Sequence, residues 1–296
     1  MIGDIPYQIE WMSTYCFNQR VIEKFKIGRI FFAGDSAHSL PPYGSRGMNS
    51  GIQDADNLAW KMAYVINGQA QQELLETYHA ERYAAALENL RVTEATIKFM
   101  APTTGIQRFF RNTVLSLAIP FKSLRRWVNH GKMAQPFTYA HSDIIDAGSN
   151  HPWVGRFMPD CKVFIANKKS RLRKLLGHEF TLIFFGNSAE GKEFVLNVSQ
   201  NLTDLPVKVI LAYPKGFGLE TNPTNTSVIY YDDIKFFQSL YHDCAAWYVI
   251  RPDGHIAGKY SLEDSNRAYL IVGRCCYGYL RQENLDKHEH RFEQAS

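Results

Sequence analysis

The stretch from Arg29 to Gly68 limits what this chain can fold into more than any other. A short apolar run, Arg29-Ile30-Phe31-Phe32-Ala33, stops at Gly34, which predicts a fully buried strand ending in a sharp turn. Asp35, Ser36 and His38 follow at once, and then a loop rich in glycine, proline and serine runs to Gly51. Beyond it a helix is expected, with Ser50 and Gln53 spaced as a capping box and Gly68 as its stop. Ile52, Ala55, Ala59, Met62, Ala63 and Ile66 recur at helical spacing and predict its core face. A strand, loop and helix in this order put Asp35 at the carboxyl end of a sheet, where open α/β folds bind ligands.

Two chemistries compete for Gly34-Asp35-Ser36. One makes Ser36 a nucleophile, which needs a histidine base and an acid to orient it. Hydrolases with a Gly-Asp-Ser turn supply these as Asp-x-x-His near the C-terminus. Here the residue three after Asp286 is Glu289, no G-x-S-x-G elbow occurs, and His38 lies two residues from Ser36, where a turn points it away. The other chemistry makes Asp35 an acceptor for the hydroxyls of a cofactor. Pro41-Pro42 would stiffen the loop, and Gly44 and Gly47 would let main chain approach a flat ring. Met48-Asn49-Ser50 would present the amides and positive end of a helix. The second reading fits more of the residues.

The rest of the chain narrows the class. At 296 residues, with 45% hydrophobic and 21% charged residues, one large or two ordinary globular domains are expected. The net charge of +4 has no dominant cluster, and Lys122 to Arg126 and Lys168 to Lys174 read as solvated helix faces, which argues against nucleic acid. No apolar run is long enough for a membrane span, and no basic and apolar leader is seen, so a membrane partner is not expected and the cytoplasm is. The five cysteines, Cys16, Cys161, Cys244, Cys275 and Cys276, contain no C-x-x-C, so neither a zinc site nor dithiol chemistry is predicted. Helices are expected over 71–100, 106–117 and 122–132. After about residue 148 the pattern changes to strands at 180–186 and 206–212, with a hairpin at 246–260 turning on Pro252-Asp253-Gly254.

Gly34-Asp35-Ser36-Ala37-His38, Pro41-Pro42, Gly47-Met48-Asn49 and Asp54-Ala55-Asp56-Asn57-Leu58-Ala59-Trp60-Lys61 stand together, in order. With Leu74-Leu75-Glu76-Thr77-Tyr78-His79-Ala80-Glu81-Arg82, they resemble the second flavin-contacting motif of the FAD-dependent aromatic hydroxylases, the class A flavoprotein monooxygenases. The resemblance implies an α/β fold in two parts. Residues 1–147 would be the C-terminal portion of an FAD-binding domain with a helical segment, and 148–296 a thioredoxin-like domain lacking C-x-x-C. It implies FAD as cofactor, with Gly34, Asp35, Pro42, Gly47, Met48 and Asn49 against its ribityl chain and ring, and NAD(P)H as reductant. Small aromatic substrate and O₂ would be the reactants, and no catalytic residue or metal ligand is assigned. His38, Asn57, Trp60 and Lys61 are expected to be packing residues, and Glu81-Arg82 a structural ion pair.

The strand, G-x-G-x-x-G and helix that open such enzymes have no counterpart in these residues. The chain is therefore expected to be the C-terminal part of a hydroxylase, binding FAD weakly or not at all alone, with a missing N-terminal half or a homodimer as partner. The alternative is a non-catalytic remnant or partner subunit that keeps the fold.

Overall fold

The computed structural model describes residues 6, 8, 10–14, 16–42, 46–128, 135–149, 151–186, 207–216, 226–231, 246–262 and 264–277. Gly44, Lys132, Pro206, Cys244 and the Asp286–Glu289 stretch lie outside them.

The N-terminal part opens with two small antiparallel pairs. Strand β1 (Arg20–Val21) pairs with β4 (His38–Ser39), and β2 (Lys26–Ile27) pairs with β3 (Ile30–Phe31) around Gly28, whose φ is +59°. The predicted buried strand at 29–33 is thus corrected. Only Ile30–Phe31 is strand, it has one neighbour, and Ile30 is 60% exposed. A strand is buried on both faces only inside a covered sheet. What is buried here is Phe25, against the rings of Tyr78 and Tyr83, while the Tyr78 hydroxyl donates to the carbonyl of Phe32 at 2.6 Å.

Helix α1 spans Arg46–Ile66, so it begins four residues before the expected cap. Ser50 does not cap it; its hydroxyl instead accepts from the side-chain amide of Asn89 on the next helix. Gly68, with φ +71°, stops α1 as predicted. A 3-10 turn (Gln72–Leu75) then leads into α2 (Glu76–Met100), α3 (Gly105–Ala118) and α4 (Lys122–Val128). Thr104 caps α3 by accepting the Gln107 amide.

The C-terminal part is a mixed sheet. Strands β5 (Lys162–Ile165), β6 (Lys168–Arg171), β7 (Phe180–Phe185), β8 (Val207–Pro214), β9 (Thr226–Tyr231), β10 (Ala246–Ile250) and β11 (Ile256–Ser261) lie in the order β11-β10-β7-β8-β9-β5-β6. The centre, β7-β8-β9, is parallel; every other pairing is antiparallel. The basic run at 168–174 is therefore an edge strand and a 3-10 turn, not a helix face. Ala166 and Asn167 make this possible, both with positive φ in a two-residue hairpin turn.

Period-two alternation sorts the sheet residues between two cores. Phe180, Leu182 and Phe184 face one core with Trp247 and Val249, and Ile183 and Phe185 face the other with Tyr248 and Ile250. Helix α5 (Ser265–Tyr277) covers the first face with Ala268, Ile271, Val272, Cys275 and Cys276, so the two adjacent free cysteines fill core. Trp60 and Tyr64 of α1 enter that same core, with edge-to-face ring contacts to Phe180. This joins the helical part to the sheet.

Candidate functional site

Gly34, Asp35 and Ser36 form a 3-10 turn lying against α1. Gly34 has φ +59°, and a Cβ on Gly51 would stand 3.3 Å from the Gly34 Cα, so two glycines permit the contact. The turn is then held at both ends by Asp54, one turn further along α1. Asp54 Oδ2 accepts from the Gly34 amide at 2.9 Å and meets His38 Nε2 at 2.7 Å. Its Oδ1 accepts from Arg82 Nε at 2.6 Å. Burial raises the Asp54 pKa, but the His38, Arg82 and Gly34 contacts outweigh it and leave the carboxyl below its usual value.

This arrangement decides between the two chemistries. The Ser36 hydroxyl donates to the Ala33 carbonyl at 2.8 Å and accepts from the Ala33 amide at 3.2 Å. The His38 imidazole is turned into the interior toward Asp54. Ser36 and His38 therefore do not form a nucleophile and base.

Asp35, in contrast, is exposed, and so are Pro42, Met48 and Asn49. Gly47 lies in the first turn of α1, and a Cβ there would come no closer than 3.9 Å to the chain's own atoms. The first turn of α1 contains no acidic residue to compete for its amides. An outward carboxylate, a side-chain-free position and a first helical turn without acidic side chains fit the hydroxylated chain and flat ring of a flavin. Among the described residues no group of His, Cys, Asp or Glu could hold a metal ion.

A second cluster escaped the sequence reading. Glu81 of α2 is buried and receives a bidentate guanidinium from Arg251, at 2.5 and 2.9 Å. Lys61 Nζ donates to Glu81 Oε2 and to Asn57 Oδ1, both at 2.8 Å. Asp253, in the turn between β10 and β11, accepts from Arg251 Nε at 3.1 Å, Trp60 Nε1 at 3.2 Å and Asn57 Nδ2 at 3.3 Å. Burial opposes ionisation of both carboxylates, yet Arg251 beside them holds each well below its ordinary range. Burial lowers Lys61 to about 8, against the pull of Glu81. Glu81 and Arg82 are thus not a pair with each other; Glu81 binds Lys61 and Arg251, and Arg82 binds Asp54.

Tyr139 stands between the two clusters. Its hydroxyl accepts from Arg82 Nη1 at 2.8 Å, and the Arg251 guanidinium lies 5.2 Å from its ring centre. A cleft of about 250 Å³ opens beside it, walled by Tyr139, Phe157 and His255 with Asp56 at its edge. None of the sequence-predicted cofactor residues lines this cleft.

Comparison with known proteins gives the family context. Residues 2–93 match the family model described as FAD binding domain. Rifampicin monooxygenase of Streptomyces venezuelae is 34% identical over 213 residues, spanning 70% of this chain and 42% of that protein. The structure of CabE, an aromatic hydroxylase from angucycline biosynthesis, is 26% identical with a TM-score of 0.63, covering 92% of this chain and 49% of that one. PieE, a flavin-dependent monooxygenase solved with FAD and substrate, has the same fold with a TM-score of 0.68 at 19% identity, over 89% of this chain and 50% of its own. Residues 2–93 thus carry an FAD binding domain match, the chain is similar to flavin-dependent monooxygenases and aromatic hydroxylases, and it spans about half the length of the relatives it matches.

Proposed function

We propose that this chain provides the ribityl and ring end of the FAD site in an NAD(P)H-using monooxygenase that hydroxylates a phenolic or related aromatic ring. The observation that carries the reading is the exposed Asp35, set on a turn that Asp54 and the Gly34–Gly51 contact fix beside the start of α1. Asp35 accepts hydrogen bonds from ribityl hydroxyls. Pro42 and the backbone of Gly47, Met48 and Asn49 would hold the isoalloxazine, and Gly34 gives the turn its left-handed bend. The α1 amides stabilise negative charge at the nearest ring edge. When bound, FAD supplies the electron and oxygen chemistry; the residues named here bind and orient it.

Residues 148–296 act as a thioredoxin-like unit without dithiol chemistry, joined to residues 1–147 by the Glu81–Arg251–Asp253 cluster. Burial raises the Cys161 and Cys276 thiols to about 12, which keeps them protonated at neutral pH. A partner-subunit reading is favoured by one feature, the exposed apolar side chains of α1. Met48 and Ile66 are each 75% exposed, and they suit the apolar face of a partner polypeptide or of a second copy.

The test is titration of the purified full chain with FAD, followed by flavin fluorescence and visible absorbance. Asp35→Ala is expected to weaken binding by roughly tenfold or more, as for loss of a charged hydrogen-bond acceptor. Ser36→Ala should change it less than about threefold. Of the two outcomes the sequence leaves open for the chain alone, weak binding or none, the fixed turn favours weak binding, and wild-type protein that takes up no flavin would remove the binding assignment and leave the partner-subunit reading.

A further inference from the structure

Asp35 is the residue that faces outward, but its placement is decided by a carboxylate that does not. The Asp54 side chain is fully buried, and both of its oxygens are engaged. Oδ2 bonds to Gly34 and to His38, the first and last residues of the Gly34-Asp35-Ser36-Ala37-His38 turn, so both ends are fastened to one point on α1. Oδ1 takes Arg82 Nε, and Arg82 in turn donates to the Tyr139 hydroxyl and to the Ser50 carbonyl at 3.3 Å. The Tyr139 ring lies against His255 at 4.5 Å and under the Arg251 guanidinium. A continuous line of contacts therefore runs from the turn through Asp54, Arg82 and Tyr139 to the β10–β11 hairpin.

We propose that Asp54 is the positioning residue of the flavin site. It sets the turn so that Asp35 points at the ribityl chain, and it ties that setting, through Arg82 and Tyr139, to docking of the sheet. This rests on the flavin reading of Asp35. A neutral residue in its place leaves the Gly34 amide, the His38 ring N–H and the Arg82 guanidinium competing for fewer acceptors in a dry site. An amide also brings two donors to face donors. The turn then samples other conformations, and Asp35 leaves its place even though nothing in Asp35 has changed.

The experiment uses the full chain and two variants, Asp54→Asn and Tyr139→Phe, with two readouts. The first is amide hydrogen exchange without flavin. Asp54→Asn is expected to speed exchange across 33–39 by roughly tenfold or more, while β7 and β10 stay within about twofold of wild type. Tyr139→Phe removes one hydroxyl and should give roughly threefold in the same segment; it carries the test if Asp54→Asn does not fold. The second readout is FAD affinity, expected to fall by about the same factors in the same order.

Unchanged exchange across 33–39 in either folded variant overturns the proposal. Equal loosening of β7 and β10 also overturns it, since Asp54 would then be a general structural residue. Faster exchange in the turn with unaltered FAD affinity overturns the positioning role while leaving the flavin site standing elsewhere. If the wild-type chain binds no FAD, the flavin reading fails by itself, and the positioning role toward it fails with it. The exchange readout then still shows whether Asp54 holds the turn.

Discussion

Helix α1 and strand β7 are both packed into the interior, and they bury opposite chemistry. All six residues of β7, Phe180–Phe185, are inside, and all but Thr181 are apolar. On α1 the inner face carries Ser50, Asp54, Asn57 and Lys61 beside the core rings of Trp60 and Tyr64, while Met48, Ile52 and Ile66 are left outside. The sheet is held by apolar area removed from water, which is additive and forgiving. The inner face of α1 is held by ions that are tolerable in the interior only because each has a partner. The difference teaches where the molecule is brittle. Removing a methylene from β7 leaves a small void, whereas removing one ion from the α1 and α2 cluster strands another.

The largest expected effect follows from that. Arg251→Ala removes the bidentate partner of Glu81 and the main partner of Asp253, and should cost about 3–5 kcal/mol in chemical denaturation. A loss under about 1 kcal/mol would erase the contrast between the two regions.

Dependence on pH sharpens the same contrast. Glu81, Asp253 and Asp54 all have folded pKa values below their ordinary ones. The unfolded chain binds more protons as pH falls through the ordinary carboxylate range, so the stability they contribute is present above that range and lost below it. Lys61 is lowered from 10.5 to about 8. Between those values the unfolded chain again holds more protons, and the same sign gives stability rising with pH. The slope from one such group is at most about 1.4 kcal/mol per pH unit. Denaturation midpoints should climb from acid toward neutral; above pH 8 Lys61 adds stability while the buried thiols of Cys161 and Cys276, raised from 9.0 to about 12, remove it, so the Lys61 contribution is read as the pH-dependent difference between wild type and Lys61→Met.

Smaller effects complete the ranking. Ile183→Val in β7 should cost about 1 kcal/mol through a small void. Ile66→Ser, on the exposed face of α1, should stay within about 0.5 kcal/mol in the isolated chain. A much larger loss at Ile66 in the monomer would place that face inside a core.

The same two regions differ in what their residues disclose. In β7 and β10 the apolar runs, the Pro-Asp-Gly turn and the period of two are local, and the strands follow from them. The Gly34 turn, the Gly68 stop and the motif around Asp35 were equally local. The phase of α1 was not. Ile52, Ala55, Ala59, Met62 and Ile66 make a regular stripe that reads as the core face, yet Ile52 and Ile66 are exposed. The true inner face combines Trp60 and Tyr64 with polar residues whose partners lie far along the chain. Asn57 meets Asp253 across 196 positions, and no local pattern records that distance. Asp253 reads as a turn residue only. Glu81 and Arg82 looked like a pair, but neighbours on a helix point apart, and each found its partner elsewhere. One signal was available: polar residues at 50, 54, 57 and 61 share a helical face.

The account centres on α1 serving two sites, a buried ionic seat on its inner side and a flavin surface at its exposed start. Amide exchange of the full chain with and without saturating FAD tests this most directly. The account predicts slowed exchange at 34–49, centred on the Asp35 turn and the first turn of α1, with β7, β10 and α5 unaltered. Protection that appears instead around the cleft beside Tyr139 and His255, with none at 34–49, would contradict it.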